Sequence, residues 1–131
     1  MPNIPADWKT LLKQPVFVHL TTLMPDGSPQ VSPVWVDIDG DAIVINSAQG
    51  RIKDKNIRRD PRVALSVVAP DNPYSSLTVR GRVVDITTTG ADSHIDAMAK
   101  KYLGKDKYPF SQPGEVRVKY RITPEKVSTT G

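Results

Sequence analysis

The sequence predicts a mainly β protein whose short antiparallel strands curl into a closed or nearly closed barrel, with three helices flanking it. Three observations predict this. Six segments are apolar, β-branched or strictly alternating, as strands are. Most are joined by short turns, which favour antiparallel pairing. Closing such a sheet removes the exposed edges an open one would present. The chain has 131 residues and shows no repeat, low-complexity tract or linker, so residues 1–131 read as one domain with a single core.

The first element is a helix over Ala6 to Gln14, with Trp8, Leu11 and Leu12 on one face and Pro15 as its stop. Val16 to Met24 is apolar and β-branched, a strand. Pro25-Asp-Gly-Ser-Pro29 is a turn whose Asp-Gly pair marks a hairpin. Gln30 to Asp39 is the second strand, and Asp39-Gly-Asp41 turns into the third, Ala42 to Asn46. A short basic helix follows. Arg62 to Ala69 is the fourth strand, Pro70-Asp-Asn-Pro73 a loop, and Ser76 to Thr88 a long fifth strand with Gly81 as a bend or bulge. Thr89-Gly90-Ala91-Asp92 opens the third helix, in which Ile95, Met98, Ala99, Tyr102 and Leu103 keep amphipathic spacing. Gly104 is placed to end it. Lys105 to Gly114 is an irregular loop. Glu115 to Thr123 is the sixth strand, with Val116, Val118, Tyr120 and Ile122 on its buried face and Glu115, Arg117, Lys119 and Arg121 opposite.

Charge is concentrated in one place. Arg51-Ile-Lys-Asp-Lys-Asn-Ile-Arg-Arg-Asp-Pro-Arg62 sets Arg51, Lys53, Lys55, Arg58, Arg59 and Arg62 against Asp54 and Asp60, and its excess of +4 equals the formal charge of the whole chain. The basicity is therefore a site. A helix start carries partial positive charge, so Arg51 and Lys53 in the first turn conflict with the dipole. An anion there relieves the conflict. The competing reading is a solvated basic face.

Other chemistry is scarce. Without cysteine there is no disulfide, thiolate metal site or thiol nucleophile. His19 and His94 make no metal or catalytic pattern and read as packed or solvated residues. Asp37, Asp39 and Asp41 read as turn chemistry rather than a metal site. Arg80 and Arg82 read as facing water. Trp35 reads as core or interface, or as the support of a flat ring. If the protein is an enzyme, a cofactor does the chemistry. No apolar run approaches the roughly 20 residues of a membrane helix. The N-terminus lacks a signal-peptide pattern, so a cytoplasmic protein is expected. A nucleic-acid binder would interleave aromatics with the basic residues, and the segment from Arg51 to Arg62 has none. A non-catalytic cofactor carrier stays open.

Three stretches together carry a family resemblance. They are Thr21-Thr-Leu-Met-Pro-Asp-Gly-Ser-Pro-Gln-Val-Ser-Pro-Val-Trp-Val36, Asn46-Ser-Ala-Gln-Gly-Arg-Ile-Lys-Asp-Lys-Asn-Ile-Arg-Arg-Asp-Pro-Arg-Val-Ala-Leu-Ser66, and the closing Ile-Thr-Pro-Glu-Lys-Val127. Over nearly its full length the chain resembles the split β-barrel flavin and deazaflavin oxidoreductases, the pyridoxamine phosphate oxidase-like superfamily, and most closely its small actinobacterial branch that uses coenzyme F420. The resemblance implies a six-stranded split barrel (FMN-binding-like) and a homodimer with cofactor grooves between subunits. It implies that Arg51, Lys53, Lys55 and Asn56 meet the phosphate, that Gln30, Ser32, Pro33, Val34 and Trp35 line the ring system, and that Tyr74, with Asn72 and Pro73, reaches over the partner's cofactor. It leaves F420 and FMN both open. F420 is preferred because its oligoglutamate tail suits concentrated basic charge, and because the chain lacks the C-terminal extension usual in substrate-binding pyridoxamine phosphate oxidases. The implied reaction is hydride transfer from reduced deazaflavin to an electron-poor small molecule such as an enone, lactone or quinone. Tyr74, Tyr108 and solvent all stand as proton sources.

Overall fold

The computed structural model describes residues 2–131. Its elements are α1 (Ala6–Leu12), β1 (Phe17–Leu23), β2 (Pro29–Trp35), β3 (Asp37–Asp39), β4 (Ala42–Ala48), α2 (Ile52–Arg59), β5 (Arg62–Ala69), β6 (Asn72–Thr87), α3 (Ala91–Leu103) and β7 (Arg117–Thr130). All strands belong to one antiparallel sheet in the order β2-β1-β5-β6-β7-β4-β3. The two outermost strands are consecutive in the chain and only Val36 separates them. The sheet must therefore curl until its ends nearly touch, which is the expected barrel.

The predicted second strand thus becomes two, and the sheet has seven strands rather than six. The break at Val36 has a physical cause. A residue at the seam has no neighbouring strand for its N–H and C=O, which cannot be left unpaired when buried. Val36 is fully buried. Its N–H donates to Tyr102 Oη at 2.8 Å, and its carbonyl accepts from Lys101 Nζ at 2.6 Å. Tyr102 Oη also donates to Val16 O at 2.6 Å, and Lys101 Nζ to Leu12 O at 2.7 Å. Two adjacent residues of α3 therefore clasp the seam to the end of α1 and the approach to β1. Burial pushes the Tyr102 phenol up to about 12. It brings the Lys101 ammonium down to about 8 against the opposing pull of Asp37.

Other boundaries shift by a few residues. α1 stops at Leu12, before Gln14, because a residue preceding proline is driven out of the helical region. β6 starts at Asn72 because Pro70-Asp71 alone makes the turn. β7 begins at Arg117 and runs on to Thr130, paired with β6 as far as Ser76. Pro124 is tolerated there because it sits opposite Gly81 at a register shift. A Cβ on Gly81 would lie 2.5 Å from Thr123 O, so glycine is what allows β6 and β7 to approach. Gly90 and Gly104 bracket α3 in left-handed conformations, as placed from sequence.

One core fills the barrel. Val18, Leu20, Ile43, Ile45, Leu77, Val79, Val118, Tyr120 and Ile122 are nearly inaccessible, and Ile4, Trp8 and Leu12 join the same cluster. The predicted buried face of the last strand is observed at Val118, Tyr120 and Ile122, whereas Val116 lies before the strand and is 45% exposed. Arg117, expected on the solvent face, is 5% exposed.

Candidate functional site

Beside the seam lies a cavity of about 200 Å³. One wall is aromatic. Trp35, the last residue of β2, stacks on Tyr102 at 4.7 Å and 7°. Phe17 meets the Tyr102 ring edge-on, and Tyr108 does the same to Trp35. The Tyr108 backbone N–H is tied to Asp96 of α3 at 2.9 Å, which fixes the irregular loop against this wall. Ile95 and Met98 of α3 add apolar lining.

The opposite side is cationic. Arg51 is the N-cap of α2, with extended backbone and no side-chain cap, so the helix start offers free N–H groups. Arg51 and Lys53 line the cavity, and Arg117 enters it from β7. One carboxylate serves two of these three cations. Glu115 Oε1 accepts from Arg51 Nη2 at 3.1 Å and from Arg117 Nη1 at 2.9 Å. Lys53 has no acidic partner among the described residues. Burial, and then the charges of Arg51 and Arg117, push its ammonium below the usual lysine range. A half-buried lysine held beside two guanidinium groups is stabilised by an anion and by little else. Ser47 is among the lining residues, but its hydroxyl is buried away from the opening and has no hydrogen-bond partner among the described residues.

Much of the basic segment is compensated outside this point. Arg58 pairs with Asp54 at 3.0 Å and Arg62 with Asp60 at 2.7 Å. The dipole conflict inferred from Arg51 and Lys53 is also smaller than the sequence implies, because Asp54 sits in the first turn of α2 and is buried. Burial favours its protonation. Hydrogen bonds from Tyr120 Oη at 2.5 Å, the Gly50 N–H and Arg58 outweigh that and hold the carboxyl below its ordinary range.

Of the ten residues singled out from sequence, five line the cavity together: Pro33, Val34, Trp35, Arg51 and Lys53. Asn56 instead turns inward, donating to Thr22 Oγ1 at 3.0 Å and accepting from Arg59 at 2.8 Å, and Thr22 in turn meets Gln30 at 3.3 Å. Gln30 and Asn56 thus share a network that braces α2 against the first hairpin. Ser32 is half-buried, its hydroxyl without a partner. Lys55 is exposed, and Tyr74 is 84% exposed at the start of β6. Sequence reading missed Arg117, Asn46 and Ser47. The alternation that predicts β7 assigns Arg117 to water, and the other two open the family stretch from Asn46 to Ser66 without being singled out in it.

The rest of the surface offers less chemistry. A larger groove of about 490 Å³ crosses the sheet between Leu23, Arg62, Ala64, Arg80 and Lys126, but it holds no aromatic side chain. Arg80 and Arg82 are exposed, as expected. The described residues contain no group of three His, Asp or Glu able to hold a metal. No helix among them is long and apolar enough to cross a membrane.

This barrel and site define the split-barrel oxidoreductase class, and the chain belongs to the pyridoxamine 5'-phosphate oxidase family, whose pattern it matches over residues 4–131. Among solved structures it is similar to an F420 reductase, with 35% identity and a TM-score of 0.82 over 95% of this chain and 98% of that one. More distant likenesses, which speak to the fold alone, include a conserved hypothetical protein of Mycobacterium tuberculosis (19% identity, TM-score 0.75, covering 99% of this chain and 86% of that one). A heme binding protein of Mycobacterium smegmatis also shares the fold (21% identity, TM-score 0.68, covering all of this chain and 55% of that one). A comparison with curated proteins returns no match. Family membership and the reductase likeness support a flavin- or deazaflavin-type oxidoreductase.

Proposed function

We propose that the protein is an F420-dependent reductase acting on an electron-poor small molecule, an enone, lactone or quinone. The observation that carries the reading is that Arg51, Lys53 and Arg117 line one cavity with a single Glu115, bound by the two arginines, to offset them, beside the uncapped start of α2 and within reach of the Trp35 wall. Arg51, Lys53 and the first N–H groups of α2 hold the phosphate, while Lys55, exposed on the same helix, meets the tail. Pro33, Val34 and Trp35 lie along the ring system. When bound, the reduced deazaflavin supplies the hydride. The chain's own part is to fix the ring against a flat wall and to keep water from one side of it. Tyr108, which lines the cavity, is the phenol best placed to hand over a proton.

The reading includes a second copy of the chain. A cavity of about 200 Å³ is smaller than the roughly 300–1,000 Å³ typical of small-molecule sites, so one protomer supplies only part of the wall. Phe17, Val31, Val68 and Tyr74 are large apolar residues that stand more than half exposed on β1, β2, β5 and β6. They suit a homodimer in which Tyr74 reaches the partner's site. The test is anaerobic turnover of reduced F420 with a panel of enones, lactones and quinones, with light scattering on the same sample. Oxidation of F420 that depends on both acceptor and protein, by a dimer, supports the reading. Turnover with reduced FMN and none with F420 overturns it.

A further inference from the structure

The most specific arrangement around the cavity is a chain of side chains that the reading above does not use. Arg117 Nε donates to Asn46 Oδ1 at 3.0 Å. Arginine only donates, so the atom facing it must be the amide oxygen. That fixes the Asn46 amide, whose Nδ2 then donates to Ala91 O at 2.9 Å and lies 3.0 Å from His94 Nδ1. Nδ1 must in turn accept, which leaves the proton on Nε2, 2.9 Å from Asp37 Oδ2. One direction of donation therefore runs from β7 through β4 and α3 to β3. Each bond determines the next, and the Asn46 amide has no hydrogen left over.

The outcome at the cavity is a guanidinium with two edges spent and one free. Nε goes to Asn46 and Nη1 to Glu115, while Nη2 has no partner among the described residues. The Arg117 group also lies over the Tyr108 ring at 5.0 Å, so it cannot swing without losing that contact. A buried cation with an open donor calls for an acceptor oxygen.

We propose that Arg117 Nη2 is the donor of an inner oxyanion subsite, for a phosphate or a carboxylate, and that Asn46, His94 and Asp37 are positioning residues that aim Arg117 at it. This rests on the reading of the cavity as an anion site and adds Arg117, which no sequence motif marks. Arg51 and Lys53, on the more exposed side, capture the anion by charge. Arg117, held from behind, sets its orientation.

The test uses the folded full chain, labelled with ¹⁵N, titrated separately with inorganic phosphate and with acetate. Binding by either should shift the Arg117 Nε and His94 Nδ1 resonances at one common midpoint. A lower midpoint for phosphate assigns the subsite to a phosphate, and a lower midpoint for acetate assigns it to a carboxylate. Both support the proposal. His94→Phe, which keeps the ring volume, should weaken the preferred anion about tenfold through a misaimed charge-assisted bond. Arg117→Lys, which keeps the charge, should do the same. Saturable anion binding that leaves both resonances still, or a folded His94→Phe of unchanged affinity, overturns the proposal and spares the cofactor reading. Failure of the wild type to bind phosphate, acetate and F420 overturns both. If His94→Phe does not fold, the wild-type titration and Arg117→Lys decide.

Discussion

Lys53→Met should move stability and binding in opposite directions. Without an anion, Lys53 is half-buried beside Arg51 and Arg117, and no carboxylate offsets it. Methionine keeps most of the apolar stem and removes the charge. The free protein should therefore gain stability. After discounting for partial exposure, the gain is about 0.5–1 kcal/mol. For a chain of this size that raises Tm by about 2–5 °C. The anion loses one charge-assisted contact, worth about 1.5–3 kcal/mol when buried and less at this exposure, so affinity should fall roughly five- to thirtyfold. The pH dependence follows by linkage. The folded form holds Lys53 below its unfolded value, so the unfolded chain binds more protons, and stability of the free protein rises as pH climbs between the two. Anion affinity falls over the same rise, because only the ammonium attracts the ligand. The assay is thermal unfolding with and without phosphate, with calorimetric titration of FMN or F420 on each variant. A free variant that melts below the wild type, or one that binds the anion as tightly, refutes the reasoning about this cation cluster.

Three other outcomes follow from the packing. Tyr102→Phe leaves the buried Val36 N–H and Val16 carbonyl without their partner, so urea denaturation should show a loss of about 1–3 kcal/mol, and an unchanged midpoint would mean the seam is held by other bonds. Gly81→Ala drives a Cβ to 2.5 Å from Thr123 O across the β6–β7 ladder and should cost about 3 kcal/mol or prevent folding, whereas a normal melt would show that the bulge can relax. Burial holds Lys101 at about 8 in the folded chain against a reference of 10.5, so the unfolded form takes up the extra proton and wild-type stability should rise between those pH values; Lys101→Met should flatten the rise, and an unaltered slope would place its origin elsewhere.

The fold was largely legible because its signals are local. Asp26-Gly27, Gly90, Gly104 and the alternation around Tyr120 each announce a turn, a cap or a buried face within a few residues. The seam at Val36 was not legible. Its neighbours read as one continuous strand, and only closure of the sheet, a global event, leaves that residue without ladder partners. The site divides in the same way. Arg51, Lys53 and Trp35 stand out by charge density and by their family stretch. Arg117 hides in an alternating strand, and its placement depends on Asn46, which arrives from far along the chain. Asn56 shows the converse, since a polar residue inside a basic motif is spent on bracing a hairpin.

The central claim is that the cationic side of this cavity holds the phosphate end of a deazaflavin. Fluorescence titration of F420 against the protein, at low and high salt and beside FMN under the same conditions, tests it most directly. The account predicts saturable binding of F420, tighter than FMN and weakened more by salt, because exposed ion pairs along the tail are screened. FMN binding more tightly than F420, or F420 binding indifferent to salt and to Lys53→Met, would contradict it.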